Sequence, residues 1–180
     1  MPKDRKRILI VDGFNVLRSG SRYKRIVAPT PDWDHDVFNR ARETLVNDVV
    51  NFAGREYRAT IVFDGGGNIE STGEARSVGG VRVMFSPAGS VADTVIEKLA
   101  REGRNNGYEV MVVTSDATIQ DTVFGLGVDR MSAEGFSMEV DRYYDEVRLD
   151  ETPKVSEKRT LAGRLDPATL EKLKALRDGR

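Results

Sequence analysis

The chain has 180 residues, 28 Lys/Arg against 29 Asp/Glu, no cysteine and one histidine, His35. Disulfides, thiolate nucleophiles, Cys-based zinc centres and multi-His metal sites are excluded, and a Ser-His-Asp triad is disfavoured. No apolar run approaches the roughly 20 residues that span a bilayer, and the first residues lack an apolar export signal, so the expectation is a cytoplasmic protein with no membrane partner. The length suits one domain, over residues 1–150, followed by a basic linker and C-terminal helix over 151–180.

In chain order, Arg7 and the apolar run Ile8, Leu9, Ile10, Val11 stop at Asp12-Gly13; such a run predicts a strand buried on both faces. Residues 20–35 are polar, contain Pro29 and Pro31, and read as a loop. Over 36–54, Val37, Phe38, Ala41, Leu45, Val49 and Phe52 recur at helical spacing. Residues 59–63 (ATIVF) predict a second strand ending at Asp64. Residues 68–80 read as a glycine-rich loop or poor hairpin, and 81–85 (VRVMF) as a third strand. A helix is expected from Ser90 to about Gly103, a fourth strand over 108–113 and a short helix holding Ile119 and Val123. A fifth short strand over 128–131, a helix opening at Ser132, a linker over 150–165 and a last helix over 167–177 complete the reading. Strands alternating with helices predict an α/β fold, a three-layer α/β/α domain on a mostly parallel sheet of four to five strands. In such sheets ligands bind at the carboxyl ends of the strands.

Acids fall at those ends. Asp12 ends the first strand, Asp64 the second and Asp116 the fourth, while Asp93 opens the helix after the third. Carboxylates gathered at one edge repel, and a divalent cation removes that cost. Oxygen ligands without Cys or His clusters favour Mg²⁺ or Mn²⁺. The chemistry that follows is metal-assisted hydrolysis of a phosphodiester. Asn15 adds a neutral oxygen or a donor to phosphate, Thr114 and Ser115 orient water or a carboxylate, and Glu97 lies one turn after Asp93. Structural roles stay open beside these. Asp93 with Ser90 nearly matches a capping box, Asp116 suits a helix cap, Asp64-Gly65 suits a turn, and Glu97 suits a solvated helix face.

The segments ILIVDGFNVL (8–17), IVFDGGG (61–67), SPAGSVADTVIEKL (86–99) and VVTSDATIQ (112–120) together resemble the YacP-like branch of the NYN family, within the PIN-like ribonucleases. The likeness runs in order over about 7–150, and KRTLAGRLDPATLEKLKALR (158–177) is similar to the end of that family. The resemblance implies a PIN-like domain and a metal-dependent endoribonuclease that binds metal through Asp12, Asp64, Asp93 and Asp116, with Asn15 and Ser115 assisting. It also implies RNA as substrate and, for some members, action on mRNA at the ribosome. The glycine-rich loop departs from the family pattern.

Charge is uneven: net +6 over 1–25, +4 over 154–180 and −11 between them. An acidic body with basic ends suits a cation site flanked by groups that grip a polyanion, although solubility alone also accounts for it. RNA affinity requires Lys or Arg on phosphates. The candidates are Arg18, Arg22, Lys24 and Arg25, then Arg76, Lys154, Lys158 and Arg159. Phe14 and Tyr23 are the candidate stacking aromatics. Two other functions fit the same sequence: a catalytically silent RNA- or ribosome-binding module, and a metal-dependent phosphatase of small substrates.

Overall fold

The structure, a computed structural model, describes residues 7–28, 35–65 and 73–151. Packing divides the chain into Met1–Asp145 and Glu146–Arg180, and the site lies in the first unit. The expected helix over 167–177, Trp33 and residues 66–72 of the glycine-rich loop lie outside the described residues, as does the expected linker except for 150 and 151, which close a helix.

The strands are β1 (Arg7–Asp12), β2 (Tyr57–Phe63), β3 (Ala75–Val78), β4 (Val81–Phe85), β5 (Glu109–Val113) and β6 (Asp129–Met131). The helices are α1 (Gly13–Ser19), α2 (Ser21–Val27), α3 (His35–Ala53), α4 (Ala92–Asn105), α5 (Ala117–Phe124) and α6 (Ala133–Glu151). The strands form one sheet in the order β3-β4-β2-β1-β5-β6. Every neighbouring pair is parallel except β3 with β4.

Three elements differ from the sequence reading. Helices α1 and α2 occupy 13–27, where the sequence reading put a strand end at Asp12-Gly13, a loop from residue 20 and no helix. Helix α1 begins because the Asp12 side chain accepts from the Asn15 N–H and so caps it. Helix α2 is held by Tyr23 and Val27, buried one turn apart. The sixth strand, β3, forms because Gly79 and Gly80 both take positive φ (56° and 85°). Between the paired Val78 and Val81, that is the two-residue turn whose twist matches a hairpin.

Pleating sorts the strand side chains onto two faces. Leu9, Val11, Ile61, Phe63 and Val83 pack with Leu17, Leu45, Val49 and Phe136 of α1, α3 and α6. Ile10, Val62, Val110 and Val112 pack with Ile96 of α4 and with Ile119 and Val123 of α5. Each fully buried Leu, Ile or Phe contributes about 1.5–3 kcal/mol, so the sheet is fixed from both sides. Among the described residues no helix is long and apolar enough to cross a membrane.

Candidate active site

The sheet order reverses between β1 and β5. From β1 the chain builds outward through β2 and β4, then crosses back to β5 and β6 on the other side. Crossovers leaving the two strands in opposite directions open a crevice at their carboxyl ends. Asp12 ends β1 there, and Thr114-Ser115-Asp116 follow β5. The register pairs Val11 with Val113, so the next step sets Asp12 beside Thr114.

Asp12 is only 7% exposed. Its Oδ2 accepts a 2.9 Å hydrogen bond from Thr114 Oγ1, and its Oδ1 accepts from the Asn15 N–H at 3.3 Å. Each oxygen keeps a further lone pair, so the carboxylate is oriented without being exhausted. Burial raises its pKa from 3.8 to about 6 against these two hydrogen bonds, and repulsion from Asp93 and Asp116 adds to the rise.

Asp116 caps α5 through a single oxygen, Oδ1, which accepts from the N–H groups of Thr118 (2.8 Å) and Ile119 (3.3 Å). Its own N–H donates to Thr114 Oγ1 at 3.1 Å. Thr114 therefore joins two acids, and Gln120 Nε2 holds its carbonyl at 2.6 Å. Asn15 Oδ1 accepts from the Ser115 N–H at 2.7 Å. The Ser115 hydroxyl accepts from the N–H of Ala133, at the start of α6. Asn15 and Ser115 thus tie the ends of β1 and β5 together.

Asp93 lies in the first turn of α4, whose capping residue is Val91 and whose cap uses no side-chain hydrogen bond. The Ser90–Asp93 capping box is not formed, and Asp93 faces other acids. Its pKa is raised, first by burial, then by Asp116 and Asp64. Asp64 is steadied by Ser86, which is fully buried. The Ser86 Oγ lies 3.3 Å from Asp64 Oδ1 and accepts from the Gly65 N–H at 2.8 Å. The pairing of Phe63 with Phe85 makes that contact one register step on. All four acids thus interact electrostatically, directly or through a neighbour.

A divalent cation fits the chemistry of this donor set: hard oxygen ligands only, with mutual repulsion that a positive charge relieves. Among the described residues, no three Asp, Glu, His or Cys stand close enough to form a ready-made coordination shell. Mg²⁺ does not require one, since it keeps several waters and binds through one or two carboxylates plus phosphate.

The basic candidates are distributed differently. Arg22 is taken up inside the fold: Nε and Nη2 donate to Asp48 (2.7 and 3.3 Å) and Nη1 to Asp141 (2.7 Å). Asp48, 1% exposed, also accepts from the hydroxyls of Tyr23 (2.9 Å) and Tyr144 (3.1 Å). This buried carboxylate joining α2, α3 and α6 escaped the sequence reading. Tyr23 is fully buried, so no base can stack on it, and Phe14 packs against Phe38 and Phe63. Arg25 pairs with Asp141. Arg18, Lys24 and Arg76 are exposed at the ends of α1 and α2 and on β3. Glu97 pairs with Arg101. Lys154, Lys158 and Arg159 lie outside the described residues. Sequence reasoning also missed Gln120 and Ser86. The strand register was the signal for Ser86, and it becomes legible only once the pairing is known.

The family model of the YacP-like NYN domain matches residues 9–178. The chain belongs to the YacP-like NYN domain family. It is 29% identical over 134 residues to the uncharacterized protein YacP of Bacillus subtilis, a match covering 74% of this chain and 75% of that one. Crystal structures of Rae1 (YacP) from the same organism superpose with a TM-score of 0.64. One, at 28% identity, covers 96% of this chain and 95% of its own. The other, a tryptophan-to-leucine mutant at 26% identity, covers 94% and 98%. This YacP-like chain therefore carries the nuclease-like fold of its family, with the acids described above at the carboxyl edge of the sheet.

Proposed function

We propose that this chain is a cytoplasmic, metal-dependent endoribonuclease. The observation that carries the reading is the buried Asp12 at the strand crossover, its charge opposed by burial and by two neighbouring acids. A carboxylate kept in so unfavourable a place needs a compensating cation. Asp12, Asp93 and Asp116 would hold Mg²⁺ or Mn²⁺, with Asp64 beside Asp93. When bound, such an ion neutralises phosphate charge and lowers the pKa of water enough to make a nucleophile at neutral pH. The chain's own residues do the positioning. Thr114 fixes the Asp12 carboxylate, Asn15 and Ser115 hold the crevice walls in register, and Asp116 keeps one oxygen free of its capping bonds. Exposed Arg18, Lys24 and Arg76 supply phosphate contacts along the RNA, and Lys154, Lys158 and Arg159 are further candidates from the sequence. Action on mRNA at the ribosome is the finer form of the reading, and co-sedimentation with ribosomes tests it.

End-labelled structured and unstructured RNAs incubated with Mn²⁺ and with chelator test the activity. Internal cuts in Mn²⁺ alone, lost in Asp12→Asn, are expected; equal cutting by that variant would remove the proposal. Among the described residues no three acids stand ready as a coordination shell, and one second reading accords with that: a silent RNA-binding module, which binds the same RNAs without turnover in Mn²⁺.

A further inference from the structure

We propose that the cleft between α4 and α5 is a nucleobase subsite that favours guanine beside the scissile phosphate. The proposal deepens the nuclease reading and rests on it. The cleft holds about 110 Å³ and is lined by Asp93, Thr94, Glu97, Thr118, Ile119 and Thr122. It begins at Asp93, one of the four acids, so a nucleotide next to a phosphate held at those acids reaches it first. It is well below the roughly 300–1,000 Å³ of a site that swallows a whole small molecule. A single flat base suits it, with sugar and phosphate left outside. Ile119, only 3% exposed, closes the floor of the cleft from the core, and the other five residues make a polar rim.

The rim chemistry selects among bases. Carboxylates only accept hydrogen bonds. Glu97 Oε1 accepts from Arg101, and Oε2 makes no hydrogen bond among the described residues. The Thr122 hydroxyl donates its proton to the Thr118 carbonyl at 2.9 Å, so toward the cleft it is an acceptor as well. An acceptor-rich rim matches an edge with adjacent donors. Guanine presents N1–H and N2–H₂ side by side. Uracil presents one N–H between two carbonyls, and adenine and cytosine each set one amino group beside a ring acceptor. Single-stranded RNA is read through these edges once bases are unstacked. A phosphate is a poor occupant of the cleft itself, since the Glu97 carboxylate repels it.

The test uses four synthetic heptanucleotide RNAs, uridine throughout except for a central G, A, C or U. Binding is read by fluorescence anisotropy in Ca²⁺ and cleavage by end-labelling in Mn²⁺. The central-G RNA is expected to bind about tenfold more tightly than all-uridine RNA, the scale of one charge-assisted hydrogen bond gained, and to be cut next to the guanine. Glu97→Gln, which puts a donor on the rim, should erase that preference. Thr122→Leu, at an exposed position that fills the cleft without touching the core, should do so independently. Affinities within twofold of each other for all four RNAs overturn the subsite, as does a guanine preference that survives both substitutions. Guanine-selective binding without any cleavage keeps the subsite and removes the nuclease reading. Cleavage without base preference does the reverse.

Discussion

Thr114 Oγ1 donates a 2.9 Å hydrogen bond to Asp12 Oδ2 across 102 residues of sequence, and the same hydroxyl accepts from the Asp116 N–H. One side chain therefore sets the positions of two acids from two strand ends. Thr114→Val keeps the shape but removes both bonds. The Thr114 hydroxyl lowers the Asp12 pKa, so its loss should move the Asp12 titration, followed by carboxyl-carbon NMR, above about 6. Stability should fall by about 1–3 kcal/mol, because the Asp116 N–H loses its acceptor. An unchanged Asp12 titration contradicts this coupling.

Asp12 itself gives the metal-free protein a pH dependence. Its pKa is 3.8 in an unfolded chain and about 6 in the fold. Below the lower value it is protonated in both states and costs nothing. Between the two, the folded protein holds a proton that the unfolded chain has released, so stability falls as pH rises. Above about 6 the full penalty, up to about 3 kcal/mol, is present. Urea unfolding in chelator should therefore show wild type losing stability relative to Asp12→Asn from about pH 4 to pH 6. A constant difference between the two proteins across that window contradicts the assignment.

The Asp48 network is structural and separable from RNA contact. Asp48→Ala leaves Arg22, Tyr23 and Tyr144 without their shared acceptor and should destabilise by about 3–5 kcal/mol. Lys24→Ala should hardly change stability, yet lower the salt dependence of RNA binding by about one unit of slope. Denaturation midpoints and salt titrations read the two effects, and a reversed pattern contradicts the division.

At Gly13 the constraint is close approach. A Cβ there would lie 2.4 Å from the Phe63 ring, so Gly13→Ala should cost about 1–3 kcal/mol by overpacking. Phe63→Leu in the same chain should recover part of that loss in thermal unfolding.

The strands and the acids at their ends were legible because both signals are local: an apolar run, then an Asp. Helices α3 and α4 were legible from their apolar spacing. Helix α1 was not, because its start depends on Asp12 acting as a cap, a role that the same residue's candidacy as a ligand obscured. The Gly79-Gly80 hairpin was written in SVGGV, but the surrounding glycines left 68–80 open between a loop and a poor hairpin. Arg22 could not be sorted from Arg18 and Lys24 by sequence, since its partners Asp48 and Asp141 lie 26 and 119 residues away. The same holds for Ser86 beside Asp64: partner choice across a sheet is set by register, and register is a property of the folded chain.

The central claim is that Asp12, Asp93 and Asp116 together make a seat for a divalent cation. Isothermal titration of the protein with Mn²⁺, without RNA, tests it most directly. Saturable binding by wild type, weakened at least tenfold in Asp12→Asn and again in Asp116→Asn while both remain folded by circular dichroism, is the predicted result. Indistinguishable Mn²⁺ binding by all three proteins, or none by wild type, would contradict it.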